Sequence, residues 1–253
     1  MKKLDLPGIY SEWLWEMGGS IPEYKKFIGM PYISNSQAKT FNSKSGFNTW
    51  KPGHLEWIQE KLLGYKFPDV GWGQFGQEVE GVICKEKGWE EYEDNFTEKE
   101  LEVLNKVHPK DIQQRQVIVD LSDYGFVVLG YIDDMTKPDK DTNKIEWIID
   151  YKTASQSSSK KLGNKDDFQL DIYNKGMEQM GYEVENLAYH VLDRGGGGEL
   201  FKNKSLGRKA LYIQGEIGLL MYELKDWDKV EKYLVDSARG MEKYYKVYKE
   251  LIK

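Results

Sequence analysis

The stretch IEWIIDYKTAS, residues 145–155, places a carboxylate and an ammonium, Asp150 and Lys152, two positions apart in an otherwise apolar run. Residues i and i+2 of a strand share a face, so this pair belongs where a core meets solvent or a ligand. A surface salt bridge is the plain alternative, and such pairs contribute little. The preceding run YGFVVLGYIDD, residues 124–134, ends in Asp133 and Asp134. Asp133 competes here with Asp134, which points to the other face. Between the two runs KPDKDTN, residues 137–143, carries the Pro, Asp and Asn of a hairpin loop. Antiparallel neighbours would then bring Asp133 and Asp150 across from each other. Close anions repel unless a cation lies between them, and hard carboxylate oxygens suit Mg²⁺ or Mn²⁺. A third acid, Glu80, lies on a preceding helical segment, with Glu78 as its competitor. Gln169 and Tyr173, four residues apart, share a face if their segment is helical. These residues amount to a candidate metal-binding carboxylate set with a lysine beside it and a polar helical face nearby.

The elements that must position them can be read from periodicity. Residues 1–70 are aromatic-rich and irregular, with YISNSQAKTF (32–41) as a strand end or turn leading into a short helix. The second half of 71–88 reads as helix, with Phe75, Val79, Val82 and Ile83 on one face; Gly76 would let it approach a sheet closely. A short helix is expected near TEKELEVLNKVH (97–108), followed by strands at 115–122, 124–136 and 144–154. SQSSSKKLGNK (155–165) reads as a polar loop, and a helix runs from Asp166 to about Met180, stopped by Gly181. NLAYHVLD (186–193) and ALYIQGEI (210–217) read as strands, the glycines at 195–198 as a hairpin tip, and 227–252 as a long charged helix. This order predicts an α/β fold, a mixed central β-sheet flanked by helices.

The 253 residues hold no repeat and no linker long enough to divide two domains, so residues 1–253 read as one domain, with 71–195 as its core. A net charge of -6 argues against a coat of basic surface, although a local basic groove can still bind phosphates. With Cys84 as the sole cysteine, no disulfide framework, structural zinc site or cysteine-ligated cluster can form within one chain. Cys84 reads as a small core residue, and His54, His108 and His190 show no zinc spacing. The segment 139–150 mimics part of an EF-hand loop but lacks its glycine and is flanked by strands. No apolar run is long enough to span a bilayer, and no signal peptide follows MKKLDLPG, so a cytoplasmic protein is expected.

Taken in order, Gly130-Tyr-Ile-Asp133, Asp150-Tyr-Lys152-Thr153 and Gln169-Leu-Asp-Ile-Tyr173 resemble the motifs of the PD-(D/E)XK nuclease superfamily. The Q-x-x-x-Y helix is similar to that of its RecB-like exonuclease branch. GQEVE (76–80) resembles that branch's preceding helical motif, with Glu80 where the family carries histidine, and YISNSQAKTF looks like its Ser-x-Ser opening. The likeness covers about residues 30–195. It implies a restriction-endonuclease-like fold and metal-dependent hydrolysis of DNA from its ends, in recombination, repair or processing. In that reading Glu80, Asp133, Asp150 and the backbone carbonyl of Tyr151 hold Mg²⁺ or Mn²⁺. Lys152 orients the attacking water and stabilises charge developing on the phosphate. Gln169 and Tyr173 position the DNA strand, Tyr173 offering a ring for base stacking. The lysines of SSSKKLGNK, Arg194 and Lys202 are candidate phosphate contacts. A recombinase, single-strand-binding protein or helicase partner would be in character, as would a host cytoplasm if the chain is viral. A structure-specific endonuclease, or a silent DNA-binding module of the same fold, are the alternatives.

Overall fold

The computed structural model describes residues 2–44, 52–67, 71–85, 89–164 and 167–252. In chain order the helices are α1 (Glu12–Met17), α2 (Asn35–Asn42), α3 (Gly53–Trp57), α4 (Trp72–Cys84), α5 (Trp89–Glu93), α6 (Glu98–Leu104), α7 (Gln156–Ser159), α8 (Gln169–Gln179), α9 (Gly197–Lys202) and α10 (Trp227–Leu251). The strands are β1 (Tyr32–Ser34), β2 (Ile112–Leu121), β3 (Phe126–Met135), β4 (Lys144–Ala154), β5 (Glu183–Gly195) and β6 (Tyr212–Met221).

Local chemistry sets several of these boundaries. Ser34 and Gln37 form a reciprocal capping box that turns β1 directly into α2. Thr97 and Glu100 do the same for α6. Gly181, at φ 89°, ends the segment that carries α8, a left-handed position that glycine adopts without strain. α4 starts earlier than its apolar periodicity suggests, directly after Gly71 (φ 102°). A Cβ there would sit 2.4 Å from the backbone nitrogen of Arg208, so only glycine fits.

The six strands form one mixed sheet. β3 is its centre. β2 runs antiparallel along one edge of β3, from the Ile112–Met135 pair to Leu121–Phe126. The other edge is shared: β1 pairs in parallel with Val127–Leu129, and β4 pairs antiparallel with only Asp134 and Met135. β4 then follows β5 in parallel, from Lys144–Glu183 to Ala154–Asp193, and β6 closes the far edge antiparallel to β5. The sheet therefore forks between β1 and β4, leaving the Gly130–Asp133 stretch of β3 without a ladder on that side.

Helices cover both faces. Leu170, Tyr173 and Met177 of α8 and Val230, Leu234 and Ala238 of α10 pack with Val117, Val119 and Val128. Phe75, Val79 and Val82 of α4 and Leu104 pack with Ile149, Tyr151 and Leu192, and Cys84 is buried among them. Tyr10, Tyr24 and Phe27 close over Ile118, Val127 and Leu129, so the N-terminal part is more ordered than its sequence suggests. Each fully buried side chain of this size contributes about 1.5–3 kcal/mol.

Three expectations need correction. A Cβ at Gly76 would meet nothing within 4 Å; the close approach is at Gly81, against the Tyr92 ring at 2.5 Å. Gly195–Gly198 is not a hairpin tip, because β5 ends at Gly195 and α9 begins at Gly197. The loop after β4 contains the short helix α7, and among the described residues Asp167 and Phe168 precede α8, which starts at Gln169. Lys165 and Asp166 lie outside the described residues. Among those residues no helix is long and apolar enough to cross a membrane.

Candidate active site

Asp133 and Asp150 lie in the row immediately beyond the last β3–β4 pair, Asp134–Ile149. Here the two strands part. The backbone N–H of Tyr151 donates to Asp133 Oδ2 at 2.9 Å, so main chain of one strand clamps the carboxylate of the other. Asp134 points elsewhere, buried and accepting from Lys110 N (2.8 Å), Gln113 and the Tyr151 hydroxyl (2.9 Å). Its partners make it a structural carboxylate, in keeping with the preference for Asp133.

Asp150 is fully buried, and Lys152 pairs with it. This is no surface salt bridge. Gln169 Nε2 donates to Asp150 Oδ1 at 2.6 Å and also to the Tyr173 hydroxyl at 2.7 Å, linking the helix face to the acid. Gly130 explains how α8 comes so close: a Cβ there would lie 3.0 Å from the Tyr173 ring and 3.3 Å from Val117. Tyr173 is only 4 % exposed, however, and its ring is core. It cannot serve as an open platform for base stacking; its hydroxyl instead fixes Gln169.

The two acids on α4 have separate environments. Glu78 is buried in an ion pair with Arg208 and accepts from Gln74 at 2.8 Å. Arg208 in turn stacks on Phe75 and Phe96 and donates to the carbonyl of Leu211. Glu80 is half-buried, accepts from the Gln114 side chain and interacts electrostatically with Asp133. Of the two α4 acids, Glu80 is the one whose charge acts on Asp133.

The electrostatics are those of crowded anions. Burial, then Asp150, then Glu80 push the Asp133 carboxyl well above the usual range, while Lys152 and the Tyr151 N–H pull it back. Burial also raises Asp150, against the opposing pull of Lys152. Lys152 is held above its ordinary value because Asp150 and Asp133 outweigh its own desolvation. Burial, followed by those same two acids, raises Tyr173 far up, so its hydroxyl stays protonated.

Oxygen donors of this kind fit a hard divalent cation, which would offset the negative charges of Asp150 and Glu80 that bear on the buried Asp133. Among the described residues no three acidic, histidine or cysteine side chains are yet drawn together at ligand spacing. Each acid is held by its own donor: Tyr151 N–H, Lys152 with Gln169, or Gln114.

A cleft of about 530 Å³ opens beside the fork, lined by Ser34, Ser36, Lys39, Gly130, Lys152 and Gln169. Lys39 reaches Asp167 at 3.7 Å, and the buried Asp167 also accepts from the Tyr189 hydroxyl at 3.0 Å and Gly163 N at 3.1 Å. Neither Lys39 nor Asp167 has a sequence signal, since their partners lie on distant elements. Of the candidate phosphate contacts, Lys160, Lys161 and Lys202 are exposed, and Arg194 lies over the Trp72 ring at 3.9 Å. His54 stacks on Tyr244 and His190 meets Glu216 at 2.8 Å, so neither joins the acids. No protein-family model and no curated protein sequence matches this chain.

Proposed function

We propose that this chain is a Mg²⁺- or Mn²⁺-dependent deoxyribonuclease of restriction-endonuclease-like fold, similar to the RecB-like PD-(D/E)XK exonucleases and acting from DNA ends. The observation that carries this reading is the convergence of Asp133, Asp150, Lys152 and Gln169 where β3 and β4 part, beside an open cleft. Asp133, Asp150, Glu80 and the Tyr151 carbonyl would hold the cation. When bound, Mg²⁺ or Mn²⁺ neutralises the clustered acids, polarises a phosphate and acidifies a water.

The chain's own residues supply the rest. Lys152, half-buried at the cleft, presents an ammonium that can donate to a phosphate oxygen as negative charge grows and can orient a water. Gln169 holds Asp150 with one amide group and is itself fixed by Tyr173. Ser34, Ser36 and Lys39 offer further donors along the cleft wall for a nucleic-acid backbone. Such an activity belongs to DNA recombination, repair or processing in the cytoplasm, with a helicase, recombinase or single-strand-binding protein as a fitting partner. The test is incubation of end-labelled linear DNA with Mg²⁺ or EDTA. Release of short products only with Mg²⁺ supports the reading; intact DNA in both rejects it.

A further inference from the structure

The β2–β3 ladder keeps one register along its length, but its pairing lapses at a single internal row. Gln113–Asp134 and Arg115–Ile132 are paired, and the row between them, Gln114 with Asp133, is not. At this point the Gln114 backbone takes φ 51°, in the left-handed region. For a residue other than glycine that conformation is strained, and the row drops out of the ladder. The side chain so redirected donates its Nε2–H to Glu80. The strain thus falls in the row of one candidate metal ligand and aims a hydrogen-bond donor at another.

We propose that Gln114 is a positioning residue for the third carboxylate, orienting Glu80 from the ladder row of Asp133 so that a cation has only to draw the acids the remaining distance together. The inference rests on the metal-site reading above. The choice of amide has a chemical reason. Glu80 and Asp133 repel each other, so Glu80 needs a donor to stay close. A lysine or arginine would neutralise the charge that draws the cation, whereas an amide donates a hydrogen and leaves the full negative charge in place. Supporting partners of this kind typically change metal affinity by about 10–100-fold when removed.

Two variants separate the side chain from the backbone. Gln114→Gly removes the amide and relieves the left-handed strain; Gln114→Met removes the amide and keeps the bulk. Both are titrated with Mn²⁺ by thermal melting, alone and combined with Glu80→Gln. The expected result is a rise of about tenfold or more in half-saturating Mn²⁺ for each single variant, with the glycine variant melting no lower than wild type without metal. Because Gln114 acts through Glu80, neither change should shift the Mn²⁺ midpoint further once Glu80→Gln is present. Wild-type midpoints in both single variants, or full additivity with Glu80→Gln, would overturn the role of Gln114 and leave the metal site standing. Absence of any Mn²⁺ shift in the wild type would overturn the metal site and this role together.

Discussion

Tyr151 donates its backbone N–H to Asp133 across the first row in which β3 and β4 no longer pair. A sheet hydrogen bond is thereby replaced by one to a carboxylate, and the acid is fixed by main chain rather than by a mobile side chain.

Asp133→Asn keeps an oxygen to accept that bond while removing the charge. Metal-free stability should rise by about 1 kcal/mol, some 2–4 °C in a chain of this size, and the stabilisation by Mn²⁺ should vanish. The sign in pH follows from the raised carboxyl. The folded state binds this proton more tightly than the unfolded chain, so the stability it confers is full below about pH 4 and is lost as pH rises through the folded value. The advantage of the variant over wild type should therefore grow with pH across that window, as read by melting without metal.

Lys152→Ala should lower turnover by about 10²–10³-fold, the loss typical of a donor aimed at transition-state charge. It also leaves the buried Asp150 without its cation. Metal-free melting should fall, and the Mn²⁺-induced shift should exceed that of wild type because the metal restores the missing charge. A turnover equal to wild type would refute the assignment.

Tyr173 should respond as a core residue with a useful hydroxyl. Tyr173→Ala opens a cavity against Gly130 and should cost about 3–5 kcal/mol. Tyr173→Phe keeps the packing and releases only the Gln169 contact. Denaturant melts should separate the two widely, while a degradation assay on Tyr173→Phe reports what the hydroxyl does for Gln169.

Glu78 and Glu80 should divide cleanly. Glu78→Gln weakens the pairing of the buried Arg208 and should lower stability without moving the Mn²⁺ midpoint. Glu80→Gln should do the reverse. Paired melting curves with and without Mn²⁺ distinguish them.

Much of this site was legible because its parts are local. Asp150 and Lys152 sit two apart in one strand, Gln169 and Tyr173 one helical turn apart, and the short hairpin carries Asp133 to Asp150. What escaped reading depends on contacts between distant segments. The left-handed conformation of Gln114 has no glycine or asparagine to announce it. Asp167 owes its position to Lys39 and Tyr189. The burial of Tyr173 depends on Gly130, which in sequence looks like motif spacing alone. The competing acids two residues apart on α4 are told apart by distant partners, Arg208 joining Glu78 and Gln114 joining Glu80.

In the proposed function the acids at the fork make a metal-dependent nuclease working from DNA ends. The most direct measurement incubates linear and covalently closed circular duplex DNA of equal length with wild type and Asp150→Asn, in Mg²⁺ and in EDTA. Wild type is expected to shorten the linear DNA progressively in Mg²⁺ alone, while the circles survive and the variant is inert. Rapid linearisation of circles would contradict action from ends, and degradation undiminished in Asp150→Asn or in EDTA would contradict the site itself.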